Sequence, residues 1–296
     1  MSADKVYSDW NVNAFNRAWV FSLADRGCRL LPRKVLYTVA DSLMDWYQGR
    51  SPATLADVAD NVARAFPALP AAKVQALASG TFRNYARGVV DYLRASFDPP
   101  VIRPAEGAAS RFASIRGGRI IVTAHMGNWE VGGAALGPSE GPQVMVGFPE
   151  RDPALEAYRR GRREANGQSS VGSGGEGMGI LFRLRNVLEE GGSVIVLADR
   201  SVGKDGVEVI FRGRRARFLK SPALFSSLTG VPLVPVAIMA DSPGVYTAHV
   251  GDPVSAGSDD AAIRAAMQST ADFFGGILER YPDQWYNFFR YWREGL

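Results

Sequence analysis

His125 and Glu130 stand five positions apart in the string Ala-His-Met-Gly-Asn-Trp-Glu at 124–130, and this pair is where the sequence could do chemistry. An imidazole titrating near neutral pH can take a proton from a hydroxyl, an effect typically worth roughly 10²–10⁴-fold in rate. A carboxylate on the other ring nitrogen fixes the tautomer and steadies the imidazolium. The bare spacing is unspecific; its position sharpens it. Residues 120–124 form a β-branched run that reads as a buried strand and stops one residue before the histidine. A helix can start at Asn128, which sets Glu130 in the first turn, able to fold back on the ring. Residues just past the carboxyl ends of strands in α/β sheets face the usual ligand crevice. The expectation is therefore a general base, His125, at the lip of a cleft, oriented by Glu130. The second histidine, His249, falls mid-strand and reads as a sheet-face residue with a local partner.

Two patterns divide the chain around that segment. The first hundred residues read as helices only. Phe15, Trp19 and Leu23 recur at helical spacing, as do Leu36, Val39 and Leu43, and a longer amphipathic stretch runs from Val74 to Tyr92 before Pro99-Pro100 ends it. Trp10, Trp19 and Trp46 lie among Arg17, Arg26, Arg29, Arg33 and Lys34, a composition that suits a helix lying in a membrane interface. Packing against the rest of the protein explains the same stripes, and both readings stay open. From residue 119, strands at 120–124, 143–148, 194–198, 207–211, 233–239 and 246–250 alternate with helices at 153–165, 178–188, 221–230 and 259–281. Such alternation implies a mostly parallel or mixed sheet flanked by helices. No linker intervenes, so 1–296 reads as one domain, with a helical region at 1–100 and an α/β catalytic core at 101–296.

Composition narrows the classes. With 46% hydrophobic and 22% charged residues, the chain is that of an ordinary globular protein. Its single cysteine, Cys28, excludes an internal disulfide, and with two histidines it makes a conventional zinc site unexpected. The longest apolar run, 231–240, falls short of the ~20 residues a spanning helix needs. The start of the chain lacks the pattern of a signal peptide. The net charge of +4 comes from arginine clusters at 159–163 and 212–217, which suit phosphate-bearing or acidic partners. No nucleic-acid-binding module fits them. Gly172 to Gly177 matches G-x-G-x-x-G, yet no buried strand is expected before it, so a glycine-rich loop is the better reading.

The string His-Met-Gly-Asn-Trp-Glu at 125–130 resembles the signature of the late acyltransferases of lipid A biosynthesis and their relatives. So do Asn-Val-Ala-Arg-Ala-Phe-Pro at 61–67, Phe-Arg-Gly-Arg-Arg-Ala-Arg at 211–217, the stretch 221–236, and Tyr-Pro-Asp-Gln-Trp-Tyr at 281–286. Several motifs in order are far more specific than the histidine pair alone. The resemblance implies a glycerolipid-acyltransferase-like α/β fold and transfer of a fatty acyl group to a hydroxyl of a glycolipid or lysolipid. The co-substrate would be an acyl-carrier-protein or coenzyme A thioester, with no resident cofactor and no metal. It assigns His125 and Glu130 to catalysis, Arg162 or Arg163 to an arginine near the active site, and Asp199 to a later acidic position; the neighbours Arg200-Ser201 depart from the pattern there. Asn128, Arg212, Arg214 and Arg215 join Arg162, Arg163 and Asp199 as expected substrate-binding residues, and the backbone N–H groups of Met126 to Asn128 as expected oxyanion donors, with Gly127 permitting close approach of the thioester. Lacking a spanning helix, the protein is expected in the cytoplasm, peripheral on the inner face of the cytoplasmic membrane. Alternatives are the same chemistry on a small lipid or secondary metabolite, and a non-catalytic lipid- or carrier-binding protein.

Overall fold

Proline and glycine punctuation sets the helices, and β-branched runs set the strands. The computed structural model describes residues 17–136, 141–147, 150, 152–165, 167–172, 178–201 and 205–292. Four helices come first: α1 (Ala18–Leu30), α2 (Arg33–Arg50), α3 (Pro52–Ala65) and α4 (Ala71–Arg94). Pro52 opens α3 at a position whose N–H has no helical partner to lose. Then follow β1 (Val101–Pro104), α5 (Ala108–Ser114), β2 (Arg119–Thr123), α6 (Trp129–Leu136), β3 (Gln143–Gly147), α7 (Pro153–Ala165), β4 (Gln168–Gly172), α8 (Met178–Glu189) and β5 (Ser193–Leu197). A two-stranded hairpin, β6 (Gly206–Phe211) and β7 (Arg214–Leu219), leads to α9 (Ser221–Thr229), β8 (Leu233–Ser242), β9 (Val245–Val250) and α10 (Asp260–Arg280). Gly230 stops α9 in the left-handed conformation, and the Asp259 carboxylate caps α10 by accepting from Ala262 N at 2.8 Å.

Seven strands form one mixed sheet in the order β1-β9-β8-β2-β5-β3-β4; β8 and β9 pair antiparallel and the other neighbours parallel. Successive side chains of β2 and β5 go to opposite faces. Ile120, Val122, Val194 and Val196 join the layer of α8 and α10, whereas Ile121 and Ile195 pack with Met145, Phe112 and Trp129 on the other side. The α/β architecture with a helical N-terminal region is thus the one the sequence pattern implies. β1, β4 and β7 are not among the strands it implies; of these, Gln168-Ser169-Ser170 of β4 lies at the sheet's edge, where polar residues are tolerated. A partly buried edge strand thus precedes the glycine-rich stretch, where no buried strand is expected, and α8 follows as expected; residues 173–177 themselves lie outside the described residues.

The N-terminal stripes divide. Phe21, Cys28, Leu36, Tyr37 and Ala40 are buried with Leu93, Val131 and Leu155. Trp19, Leu23 and Leu30 on α1, and Val35, Val39 and Trp46 on α2, are exposed instead, Trp19 at 68% and Trp46 at 52%. Core packing thus does not account for the exposed residues. Trp10 and Phe15 lie outside the described residues. Among the described residues no helix is long and apolar enough to cross a membrane.

Candidate active site

Two neighbouring parallel strands end side by side and deliver the site. β2 pairs with β5 through Thr123↔Leu197, and Ala198 N donates to Thr123 O at 2.9 Å, so the residues two places further on, His125 and Asp199, meet. Asp199 Oδ1 lies 2.7 Å from His125 Nδ1 and also accepts the His125 backbone N–H at 3.0 Å. Asp199 Oδ2 accepts from Trp285 Nε1 at 3.0 Å and from Asn287 Nδ2 at 3.5 Å. This carboxylate is 0% exposed. Burial works to raise its pKa, but the charge of the protonated imidazole, its hydrogen bond, Arg200 and Trp285 pull the other way, and the net result lies well below the usual carboxylate range. An ionised carboxylate only accepts, so Nδ1 carries the ring proton and Nε2 keeps its lone pair. Burial and the Arg200 charge hold the imidazole pKa below its ordinary value against the opposing pull of Asp199, which favours the neutral, proton-accepting form. The ring is 24% exposed, onto a large cavity.

The orienting carboxylate is therefore Asp199, in the position expected of Glu130. Glu130 lies in the first turn of α6 as expected, but its carboxylate turns to α7, where Arg163 grips both oxygens; the Nε contact to Oε2 is 3.1 Å. The fixed pair Glu130–Arg163 forms part of the cavity wall beside His125. Glu130 raises the Arg163 pKa against the lowering effect of burial, so this cation is permanent.

The expected oxyanion donors are spent within the protein. Met126 N donates to Ala124 O at 2.7 Å, Gly127 N to Gln284 O at 2.9 Å and Asn128 N to Ile238 O at 2.8 Å. Gly127 is needed for a different reason than access: its φ is +58°, and a Cβ there would sit 1.9 Å from Ile238 O of β8. Asn128 is buried, with Nδ2 donating to Gly88 O at 2.9 Å and Tyr246 Oη at 3.3 Å, while Oδ1 accepts from Val131 N at 3.3 Å and caps α6. A wrap formed by residues 284–292 finishes the loop: Tyr286 N donates to His125 O at 2.7 Å and Met126 bridges Trp285.

The remaining arginines separate as well. Arg162 points away from the cavity, binding Asp25 at 2.8 Å and the carbonyls of Tyr92 and Leu93, so that it ties α7 to α1 and α4. Arg212, Arg214 and Arg215 are absent from the described cavity wall. Arg212 binds Glu279 and Arg214 donates to Arg64 O at 3.0 Å, fastening the hairpin to α10 and α3, and Arg215 faces Glu208 on the outer surface. A basic run read along the sequence is thus spent on packing the hairpin. Arg183 and Arg200 are cavity-wall cations outside the arginine clusters, and Arg200 directly follows Asp199.

The cavity holds about 1150 Å³, above the roughly 300–1,000 Å³ usual for small-molecule pockets. One arm runs between α1, α2 and α4 and is apolar, lined by Phe21, Leu36, Ala40, Met44, Ala86 and Val89. The other runs along β3, β4, β5 and α7 and carries the polar groups Ser169, Ser170, Arg159 and Arg200 among Met145, Val146, Val171 and Val196. His125 lies on the same cavity wall, with Trp129 edge-on to its ring at 5.5 Å.

Residues 8–294 match the profile of the bacterial lipid A biosynthesis acyltransferases, and the chain belongs to that family. It is similar to a phosphatidylinositol mannoside acyltransferase of Mycolicibacterium smegmatis, 28% identical over 171 residues, which cover 57% of this chain and 55% of that protein. A phosphatidylinositol mannoside acyltransferase of Mycobacterium tuberculosis is 27% identical over 240 residues, 76% of this chain and 73% of its own length. The chain thus spans little more than half the length of the first of these relatives.

Proposed function

We propose that the protein is an O-acyltransferase that moves a fatty acyl group from an acyl-carrier-protein or coenzyme A thioester to a hydroxyl of a glycolipid or lysolipid. The observation that carries this reading is an imidazole held by Asp199 on the wall of a cavity that has an apolar arm and a polar one. The acyl tail lies in the apolar arm and the acceptor head in the polar one. His125 Nε2 takes the acceptor's hydroxyl proton as its oxygen bonds to the thioester carbon, and the C=O electron pair moves onto oxygen. When the carbonyl reforms, the C–S bond breaks and the leaving thiolate takes the proton from Nε2. Asp199 stabilises the imidazolium formed between the two steps, and Glu130 with Arg163 supports the wall of the polar arm. The thioester is the only co-substrate the scheme requires.

The exposed Trp19, Leu23, Val35 and Trp46, with Arg26, Arg29 and Lys34 beside them, suit a peripheral docking face on the cytoplasmic side of the membrane, where a lipid acceptor is at hand. That face favours a lipid over a soluble metabolite as acceptor. The test is direct. Purified protein is incubated with palmitoyl-coenzyme A or palmitoyl-carrier protein and vesicles containing phosphatidylinositol mannosides or lipid A precursors, and the lipids are weighed by mass spectrometry. The expected product is heavier by one acyl group, and H125A should lower its formation by at least about 10³-fold. Undiminished transfer by H125A, or binding of both lipids without any transfer, refutes the reading.

A further inference from the structure

We infer that Arg200 is a further catalytic residue, whose guanidinium, fixed on the cavity wall beside the His125–Asp199 pair, holds the oxyanion of the tetrahedral intermediate. This rests on the acyl-transfer reading above and adds to it a group that the histidine motif does not contain.

Charge develops on the former carbonyl oxygen as the acceptor attacks, and that oxygen needs donors in place before the reaction starts. The loop carrying His125 offers none from residues 125–128. His125 N is bound to Asp199, and the N–H groups of Met126, Gly127 and Asn128 are bound to Ala124, Gln284 and Ile238. Arg200 follows Asp199 directly, so the strand that brings the carboxylate to the imidazole brings this cation to the same spot.

Its position is held in part by the C-terminal wrap. Arg200 Nε donates to Asn287 Oδ1 at 2.8 Å and Nη2 to Tyr286 O at 2.6 Å, while the guanidinium sits 5.1 Å from the centre of the Phe289 ring. Tyr286 N in turn holds His125 O, so one turn of the C-terminal wrap sets both the base and the cation. A guanidinium anchored in this way loses little further freedom when an anion forms beside it. Its field reaches both members of the pair, lowering the pKa of His125 and of Asp199 alike. The same charge thus keeps the base unprotonated before attack and faces the oxyanion after it.

The experiment compares wild type, R200Q, R200K and H125A in the palmitoyl-coenzyme A assay over a range of pH, with melting temperatures measured alongside. R200M, similar in length and uncharged, substitutes for R200Q if the latter does not fold. The expected result for the uncharged variant is a fall in kcat of about 10²–10³-fold with KM changed less than about threefold. The acid limb of its pH profile should move upward, because the cation that lowers the His125 pKa is gone. R200K should recover at least about tenfold of the lost rate and keep the limb near its wild-type position. A kcat within about threefold of wild type in the uncharged variant overturns the assignment. So does a loss with an unmoved limb, or one that R200K does not relieve, since either is what a merely structural arginine would give. If wild type transfers and H125A does not, these outcomes judge Arg200 alone; if wild type fails to transfer, the functional reading falls first.

Discussion

A carboxylate that touches the imidazole and one that merely lies nearby should behave differently with pH, and the site contains one of each. Burial and Arg200 lower the His125 pKa while Asp199 raises it, the net direction being downward from 6.5. The protonated imidazole cannot act as a base, so the acid limb of kcat/KM should lie below pH 6.5. D199N removes the raising interaction and should move that limb further down. It should also cost about 10³–10⁴-fold in kcat, since an amide no longer dictates the proton on Nδ1. E130Q weakens the grip on Arg163 without touching the ring; its limb should stay in place and its kcat fall by less than about tenfold. Rate–pH profiles of the two variants separate the roles, and a limb that moves in E130Q would return Glu130 to the imidazole. His125 could be read from the chain because a β-branched run stops just before it. Its true partner is 74 positions away, and the meeting depends on β2 lying next to β5, which no local spacing encodes. The i+5 carboxylate was the partner a local reading offers, and Arg163 on a different helix claims it.

At the scale of elements, what the sequence conceals is whatever depends on a neighbour. The buried strands β2, β3 and β5 declare themselves by apolar residues, whereas β4 needs no such residues because it has the solvent on one edge. Amphipathic stripes on α1 and α2 are legible too, but which stripe faces inward is settled only by α4 and α7 packing against them. Leu36 and Ala40 went in, and Val35, next to Leu36, stayed out. The inward stripes create the apolar arm, so its depth is a property of three helices and was hidden. Ala86 of α4 lies on its wall, and A86W should fill part of it. Excluding about four methylenes forfeits roughly 3 kcal/mol of burial, a preference of about 10²-fold. The variant should favour donors of about ten or twelve carbons over palmitoyl while leaving kcat on the shorter donors within about threefold. Competition between donors of graded length, read by mass spectrometry, checks it; an unchanged preference would mean that the tail lies elsewhere.

For the molecule as a whole, the apolar arm and the exposed apolar face share two helices, α1 and α2, so the proposed function predicts that transfer to a lipid depends on membrane binding. Inward residues of α1 and α2 line the cavity and outward ones, Trp19, Leu23 and Trp46, meet the surroundings. Their acidic residues are paired, Asp25 with Arg162 and Arg29, Asp41 with Arg87 and Asp45 with Arg83, which leaves Arg26 and Lys34 to give the face a positive sign. Aromatic and aliphatic side chains with cations around them gain by entering the head-group region of an anionic bilayer, and the cationic part of that gain is screened by salt. The triple variant W19S/L23S/W46S should therefore bind vesicles containing anionic phospholipid at least about tenfold more weakly in a sedimentation assay, with the melting temperature little changed because these side chains pack against little of the protein. Its transfer to a vesicle-borne acceptor should fall by a similar factor, whereas transfer to the same acceptor dispersed in detergent should be retained. Vesicle binding that persists in the variant, or a loss equal in detergent and in vesicles, would separate the face from the membrane. Raising salt alone should weaken wild-type binding without abolishing it, since the apolar contribution of Trp19 and Trp46 remains.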